Sequence, residues 1–289
     1  MTTLTKKTRI ITIGNEKGGV GKTTTVRILP FVLASKGYKC LVIDMDPQGN
    51  TTDSLFVTRM RHNKNEITIF KKTLMKGIQE ENINGLEVNA IKNLDFIPSS
   101  KDLKSFGPFL SKKFGVALEG EPDFEEIKQK QLNYFKKLID SIKTNYDFIF
   151  FDTPPTASDF TNATAFVSDY IIMACQTQTD SLKGAKNYLN DTLIPLIDNF
   201  GANFEVIGIL LNQLDKKGAV DNETLIEAMN IFGEDNVFDN IITYVKAVQN
   251  IPKKGITMQG YWNNKMFEEI FIPLTNEFLE RIKLIEENE

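Results

Sequence analysis

The chain has 289 residues, 41% hydrophobic and 25% charged, enough apolar material for one large α/β core or two small ones. Its net charge of −4 and pI near 5.4 exclude nucleic-acid binding through global charge and leave that role to a local basic face. Two cysteines without a CxxC pair (Cys40, Cys175), one histidine (His62) and no apolar run of 18 residues argue against a disulfide scaffold, a zinc site and a membrane span, and suit a reducing cytosolic setting.

The polar residues 1–7 lack the apolar centre of a signal peptide and lead into a strand at residues 9–13, closed by Gly14. Residues 23–36 read as a helix capped by Gly37, with Pro30 expected to kink it or loosen one turn. A second strand spans 40–43 and ends at Asp44. Further short apolar runs at 94–97, 148–151, 170–174 and 206–211 are bounded by turn residues, the pattern of strands covered on both faces. Helices are expected over 124–144, 182–199 and 222–232. The alternation predicts an α/β fold, a doubly wound and mainly parallel sheet flanked by helices.

Residues 103–123, rich in Gly, Lys and Phe, are expected to form a mobile loop or small insertion, a variable excursion from a single domain over 1–289. At the C-terminus, Leu274, Phe278, Ile282 and Ile285 share a helical face despite Pro273, as in a helix packed on the sheet. Glu277, Glu280, Glu286, Glu287 and Glu289 on the same segment would repel anionic lipid, against a membrane-surface helix.

Three motifs carry chemistry. Lys17-Gly18-Gly19-Val20-Gly21-Lys22-Thr23-Thr24 follows a strand and opens a helix, the context of a phosphate-binding loop. Glycines let backbone N–H groups wrap phosphate oxygens, and the helix N-terminus adds its positive end. Lys22 is placed for the β- and γ-phosphates and Thr23 for magnesium. The loop departs from GxxxxGK[ST], because Glu16 holds the first Gly position and a second lysine, Lys17, stands five residues before Lys22. Next, Asp44-Met45-Asp46-Pro47-Gln48-Gly49-Asn50-Thr51-Thr52 starts at a strand end; alone it also reads as a turn with a helix cap. Finally, the strand Phe148-Ile149-Phe150-Phe151 ends in Asp152 before Pro154-Pro155, the layout of a carboxylate presented to a magnesium shell.

Together, KGGVGKTT, DMDPQGNTT and FIFFDTPP resemble the deviant Walker-A class of P-loop NTPases that includes ParA and MinD, and DxDPQGN resembles its ParA/Soj-type partition ATPases. Residues 93–100 and 169–185, with Gln176, Leu182 and Gly184, extend the likeness over nearly the whole chain. The resemblance implies ATP and Mg2+ as ligands, with Asp44 and Asp152 near the metal and Asp46 positioning the attacking water. It implies that Lys17 reaches across an ATP-dependent homodimer to the partner's phosphates. Asn212 resembles an adenine contact, although a strand-terminating turn residue fits as well. DNA contact is implied for residues 241–255, where this chain has Lys246, Lys253 and Lys254 but no Arg; solvated surface lysines are the plainer reading of each. Lys183, Lys186 and Lys265 are further candidates.

The function so implied is a slow, partner-stimulated ATPase switch for plasmid or chromosome partitioning. It would bind DNA without sequence preference as the ATP dimer and answer to a ParB-like centromere-binding protein, in the cytoplasm and on the nucleoid, with no membrane contact. The alternatives are a MinD-like positioning ATPase and a ParA-like regulator of other machinery without DNA binding. An iron–sulfur enzyme on this scaffold would need cysteines between subunits, which Cys40 and Cys175 do not offer.

Overall fold

Eight strands form one sheet: β1 (Arg9–Gly14), β2 (Cys40–Asp44), β3 (Val88–Ile91), β4 (Leu94–Ile97), β5 (Phe148–Asp152), β6 (Tyr170–Gln176), β7 (Glu205–Leu214) and β8 (Ile242–Thr243). Their spatial order is β3-β4-β2-β5-β1-β6-β7-β8. The computed structural model describes residues 7–62, 71–155, 158–177, 179–214 and 219–288. Most of the 1–7 segment, and Glu289, therefore lie outside the described residues.

The chain moves to one side of β1 for β2–β4, returns to insert β5 beside β1, then builds β6–β8 on the other side. All pairings are parallel except the β3–β4 hairpin, which turns at Asn93 in a left-handed conformation (φ 66°). The reversal of strand order at β1 and β5 opens a crevice at their carboxyl ends, where open α/β sheets bind ligands. The α/β, mainly parallel architecture expected from sequence is thus present.

Strand side chains alternate between two buried layers. Ile149 and Phe151 join one core with Leu132, Phe135 and Leu138, whereas Phe148 and Phe150 join the other with Val26, Leu29 and Phe278. Burial on both faces explains the nearly continuous apolar runs. Helix α1 (Lys22–Ser35) runs unbroken through Pro30, so the expected loosened turn is absent; Gly37 (φ 102°) follows its C-cap. Helix α2 (Asn50–His62) starts at the carboxyl end of β2.

Two helices do carry an irregularity next to a proline. Wide π turns at Tyr188–Leu193 and Phe267–Phe271 immediately precede Ile194-Pro195 and Ile272-Pro273. Proline lacks an N–H and its ring presses on the preceding turn, which the wider π turn accommodates.

The stretch read as a mobile loop or insertion is corrected in its first half. Lys101–Ser105 is a 3-10 turn and Phe106–Phe114 an α-helix, with Leu103, Phe106 and Leu110 buried in the core. The pair Gly107-Pro108 looks like a breaker but sits in the first turn, whose N–H groups need no helical partner.

The C-terminal helix Ile272–Asn288 packs as expected, with Leu274, Phe278 and Ile282 buried. Its acidic face is smaller than the sequence count suggested. Glu286 is bound by Arg9 at 2.7 and 2.8 Å and by Tyr170 Oη at 3.0 Å, and Glu277 accepts from Arg281 and from the backbone of Asp239 and Asn240. Among the described residues, no helix is long and apolar enough to cross a membrane.

Candidate functional site

The loop between β1 and α1 owes its shape to three features. Asn15, buried at the strand end, donates from Nδ2 to Ala174 O (2.7 Å) and Ser181 O (3.2 Å), and its Oδ1 accepts from Lys17 N at 2.8 Å. Gly19 (φ 79°) and Gly21 (φ 94°) take left-handed conformations that side chains rarely adopt. An added Cβ at Gly19 would meet nothing within 4 Å, so the outer face of the loop is open to a ligand. Gly18 is exposed, whereas Val20 is buried and anchors the loop in the core.

Lys22 opens α1 and is 6% exposed. Its Nζ donates to Asn15 O (2.7 Å) and Lys17 O (2.9 Å), which holds the ammonium inside the loop. Burial draws its pKa down to about 8, against the pull of Asp152 and Asp46. Thr23 Oγ1 donates to Asp152 Oδ1 at 3.2 Å, and half-buried Thr24 follows on the helix.

Two acids face this loop. Asp44 and Asp152 are register partners at the carboxyl ends of β2 and β5, and both are 1% exposed. Thr52 donates to Asp44 Oδ2 from its N (2.8 Å) and Oγ1 (2.7 Å), and Asp46 N donates to Oδ1 at 3.1 Å. Thr51 Oγ1 donates to Asp152 Oδ2 at 2.6 Å. Burial first, then the charge of Asp152, raises the pKa of Asp44; burial likewise raises that of Asp152, against Thr51 and the Arg27 guanidinium. A divalent cation would relieve this pair. Magnesium suits it, because that ion takes one or two carboxylates and fills its remaining positions with phosphate and water.

Asp46 lies in the turn that follows. Its Oδ1 accepts from Gln48 N at 2.9 Å and its carbonyl from Ser99 Oγ at 2.6 Å, so the turn reading of this segment describes its local geometry well.

A family model described as an AAA domain matches residues 8–205. The chain belongs to this family. The sporulation initiation inhibitor protein Soj of Bacillus subtilis is 27% identical over 270 residues, 93% of this chain and 97% of its own length. The chromosome-partitioning ATPase Soj of Treponema pallidum is 29% identical over 248 residues, 86% of this chain and 87% of its own. A plasmid partition protein of Borrelia burgdorferi B31, solved with AMPPNP, superposes with a TM-score of 0.71 at 22% identity, over 95% of this chain and 100% of that one. The ParA/Soj-type P-loop assignment implied by the motifs is thereby established, and the superposition shows the shared fold.

In this ParA/Soj-type ATPase, Lys17 is half-buried, with Nζ 3.7 Å from Asp180 Oδ2. The helix Thr179–Asn187 lies against it, since a Cβ on Gly184 would come within 2.6 Å of Asn15 Oδ1 and 3.1 Å of Lys17 Cβ. Asn212 is buried behind Gly21, whose added Cβ would fall 2.5 Å from Asn212 Cγ. Its Nδ2 donates to Leu210 O, while Oδ1 has no hydrogen-bond partner among the described residues. An orphaned acceptor beside the loop suits a donor such as an adenine amino group.

Lys246, Lys253 and Lys254 are exposed on two short helices, Lys246–Gln249 and Ile251–Lys254. Lys183 and Lys186 lie apart from them on Thr179–Asn187, and Lys265 pairs with Glu269 at 3.6 Å.

Sequence reasoning missed Asn15 and Arg27 and gave Thr51, inside the second motif, no role of its own. Arg27 is buried, and its Nε donates to Thr51 Oγ1 at 3.1 Å, completing the chain Arg27–Thr51–Asp152. An arginine four residues after Thr23, on the same helical face, was the available signal.

Proposed function

We propose that this chain is a Mg·ATP-dependent dimerising switch that partitions a plasmid or chromosome, working as one ATPase domain over residues 1–289. Backbone N–H groups of residues 17–21 and the Lys22 ammonium would hold the phosphates, with Asn212 beside the adenine. Thr23, Asp44 and Asp152 would hold the magnesium, which neutralises charge on the β- and γ-phosphates. Asp46 would orient the water that attacks the γ-phosphorus. The bond to the β–γ bridging oxygen breaks, ADP and phosphate leave, and the water's proton passes to solvent. Lys17 would complete the partner's site across a dimer.

The observation that carries this reading is the convergence of Lys22, Thr23, Asp44 and Asp152 at the carboxyl ends of three neighbouring strands. The ATP dimer would bind duplex DNA through Lys246, Lys253 and Lys254 without sequence preference, and a ParB-like partner would stimulate hydrolysis and release it, in the cytoplasm on the nucleoid. Co-sedimentation with random-sequence duplex DNA in ATP, ADP or no nucleotide, across a salt series, tests the DNA step. Binding in ATP that weakens steeply with salt is expected. No binding in ATP would remove the partition role and leave an ATPase switch for other machinery.

A further inference from the structure

Between Asp239 and Glu268 the sequence holds four lysines and no acidic residue, in a chain whose net charge is −4. Among the described residues, this segment carries three of the most exposed large apolar side chains: Tyr244 (60%), Tyr261 (71%) and Trp262 (72%). Together with Arg61 at the end of α2, Lys246 and Lys254, they line a groove of about 790 Å³. Basic and aromatic groups thus share one concave surface.

The groove is anchored on α2. Gly255 (φ 71°) passes so close to α2 that a Cβ would lie 2.8 Å from Thr58 Cα. Ile256 N donates to Thr58 Oγ1 at 2.9 Å, Arg61 Nη1 donates to Lys254 O at 3.2 Å, and Ile251 and Ile256 are buried beneath. Tyr261 and Trp262 meet edge to face with centroids 5.1 Å apart, a contact that covers one face of one ring and leaves both side chains largely exposed.

Lysines alone suffice to neutralise the backbone of a duplex. Exposed ring faces among them add something that paired bases, already stacked on each other, cannot use. Unpaired bases can, because stacking on aromatic side chains beside a basic track is how single strands are held. We propose that this groove binds single-stranded DNA, with bases stacked on Trp262, Tyr261 and Tyr244 and phosphates on Arg61, Lys246 and Lys254. The proposal rests on the DNA-binding reading above and changes its ligand at Lys246 and Lys254 from a duplex to a single strand.

Trp262 is the chain's single tryptophan, so its fluorescence reports directly on the groove. The full chain with Mg·ATP is titrated with oligo-dT, an abasic strand of equal length, a duplex and oligo-rU. Oligo-dT should quench the emission in a salt-sensitive way and bind about tenfold or more tightly than the abasic strand. Trp262→Leu, at an exposed position, should lower oligo-dT affinity about tenfold, read by the fluorescence anisotropy of a dye-labelled strand, with the far-ultraviolet dichroism unchanged. Unquenched emission with oligo-dT, equal binding of the abasic strand, or tighter binding of oligo-rU would overturn the proposal. Duplex binding in ATP together with unquenched emission in oligo-dT would overturn it while leaving the partition reading standing. Quenching by oligo-dT with no duplex binding would support it and remove the duplex role.

Discussion

Asp44 and Asp152 stand side by side in register on β2 and β5, each buried to 1% exposure and each bound by a threonine from the start of α2. Two buried carboxylates side by side cost stability, which the nearby Lys22 and Arg27 charges offset in part and a divalent cation would offset further. The cost of the pair can be measured.

Asp44→Asn should raise the melting temperature of the nucleotide-free protein by a few degrees, because it removes one charge from the buried pair. The same variant should lose most of the stabilisation that Mg·ATP gives the wild type. Differential scanning fluorimetry with and without Mg·ATP reads both effects. A variant less stable than wild type without nucleotide would count against the strained pair.

Asp46→Ala should keep ATP binding and lower the hydrolysis rate by about 100-fold or more, since the residue is assigned to the water and not to the nucleotide. Phosphate release under single-turnover conditions, alongside calorimetric titration of ATP, separates the two. Hydrolysis at the wild-type rate would remove Asp46 from the mechanism.

Gly184→Ala should weaken ATP binding about tenfold or more while leaving the fold intact. Its Cβ would press on Asn15 Oδ1, the acceptor that holds Lys17 N, and so shift the start of the loop. Calorimetry on the folded variant checks this, and unchanged affinity would mean that the loop does not depend on that contact.

The C-terminal helix should make stability sensitive to acid through Glu286. Burial raises its pKa, but the bonds from Arg9, Tyr170 and Lys7 outweigh burial and leave it below the ordinary value of 4.5. A lowered folded pKa means stability that is fully present above about 4.5 and lost as pH falls through the folded value. Glu286→Gln should cost about 1.5–3 kcal/mol at pH 7 and flatten the acid limb of a urea-unfolding series. An acid limb unchanged by the substitution would place the pH dependence elsewhere.

Much of the fold was legible because burial on both faces turns β1, β2 and β5 into apolar runs that end at Gly14, Asp44 and Asp152. The edge strands were not. β3 alternates buried Val88 with exposed Asn89, and β8 has two residues, so neither offers a run to read. The helix Phe106–Phe114 was hidden by Gly107-Pro108, whose breaker character fails in a first turn.

At the candidate site, the loop and the three aspartates stood out in the sequence because each lies at or just after a strand end. The supporting residues escaped because their roles depend on contacts between distant segments. Asn15 works through Ala174 and Ser181, Arg27 through Thr51, and Gly184 through its approach to Lys17. No spacing in the sequence announces these meetings.

The central claim, an ATP-dependent dimer completed by Lys17, is tested most directly by analytical ultracentrifugation of the wild type and Lys17→Ala in Mg·ATP and in Mg·ADP. The account predicts a dimer for the wild type in ATP alone, and a monomer for Lys17→Ala in both nucleotides with its fold intact. A Lys17→Ala protein that dimerises in ATP like the wild type, or a wild type that stays monomeric in ATP, would contradict it.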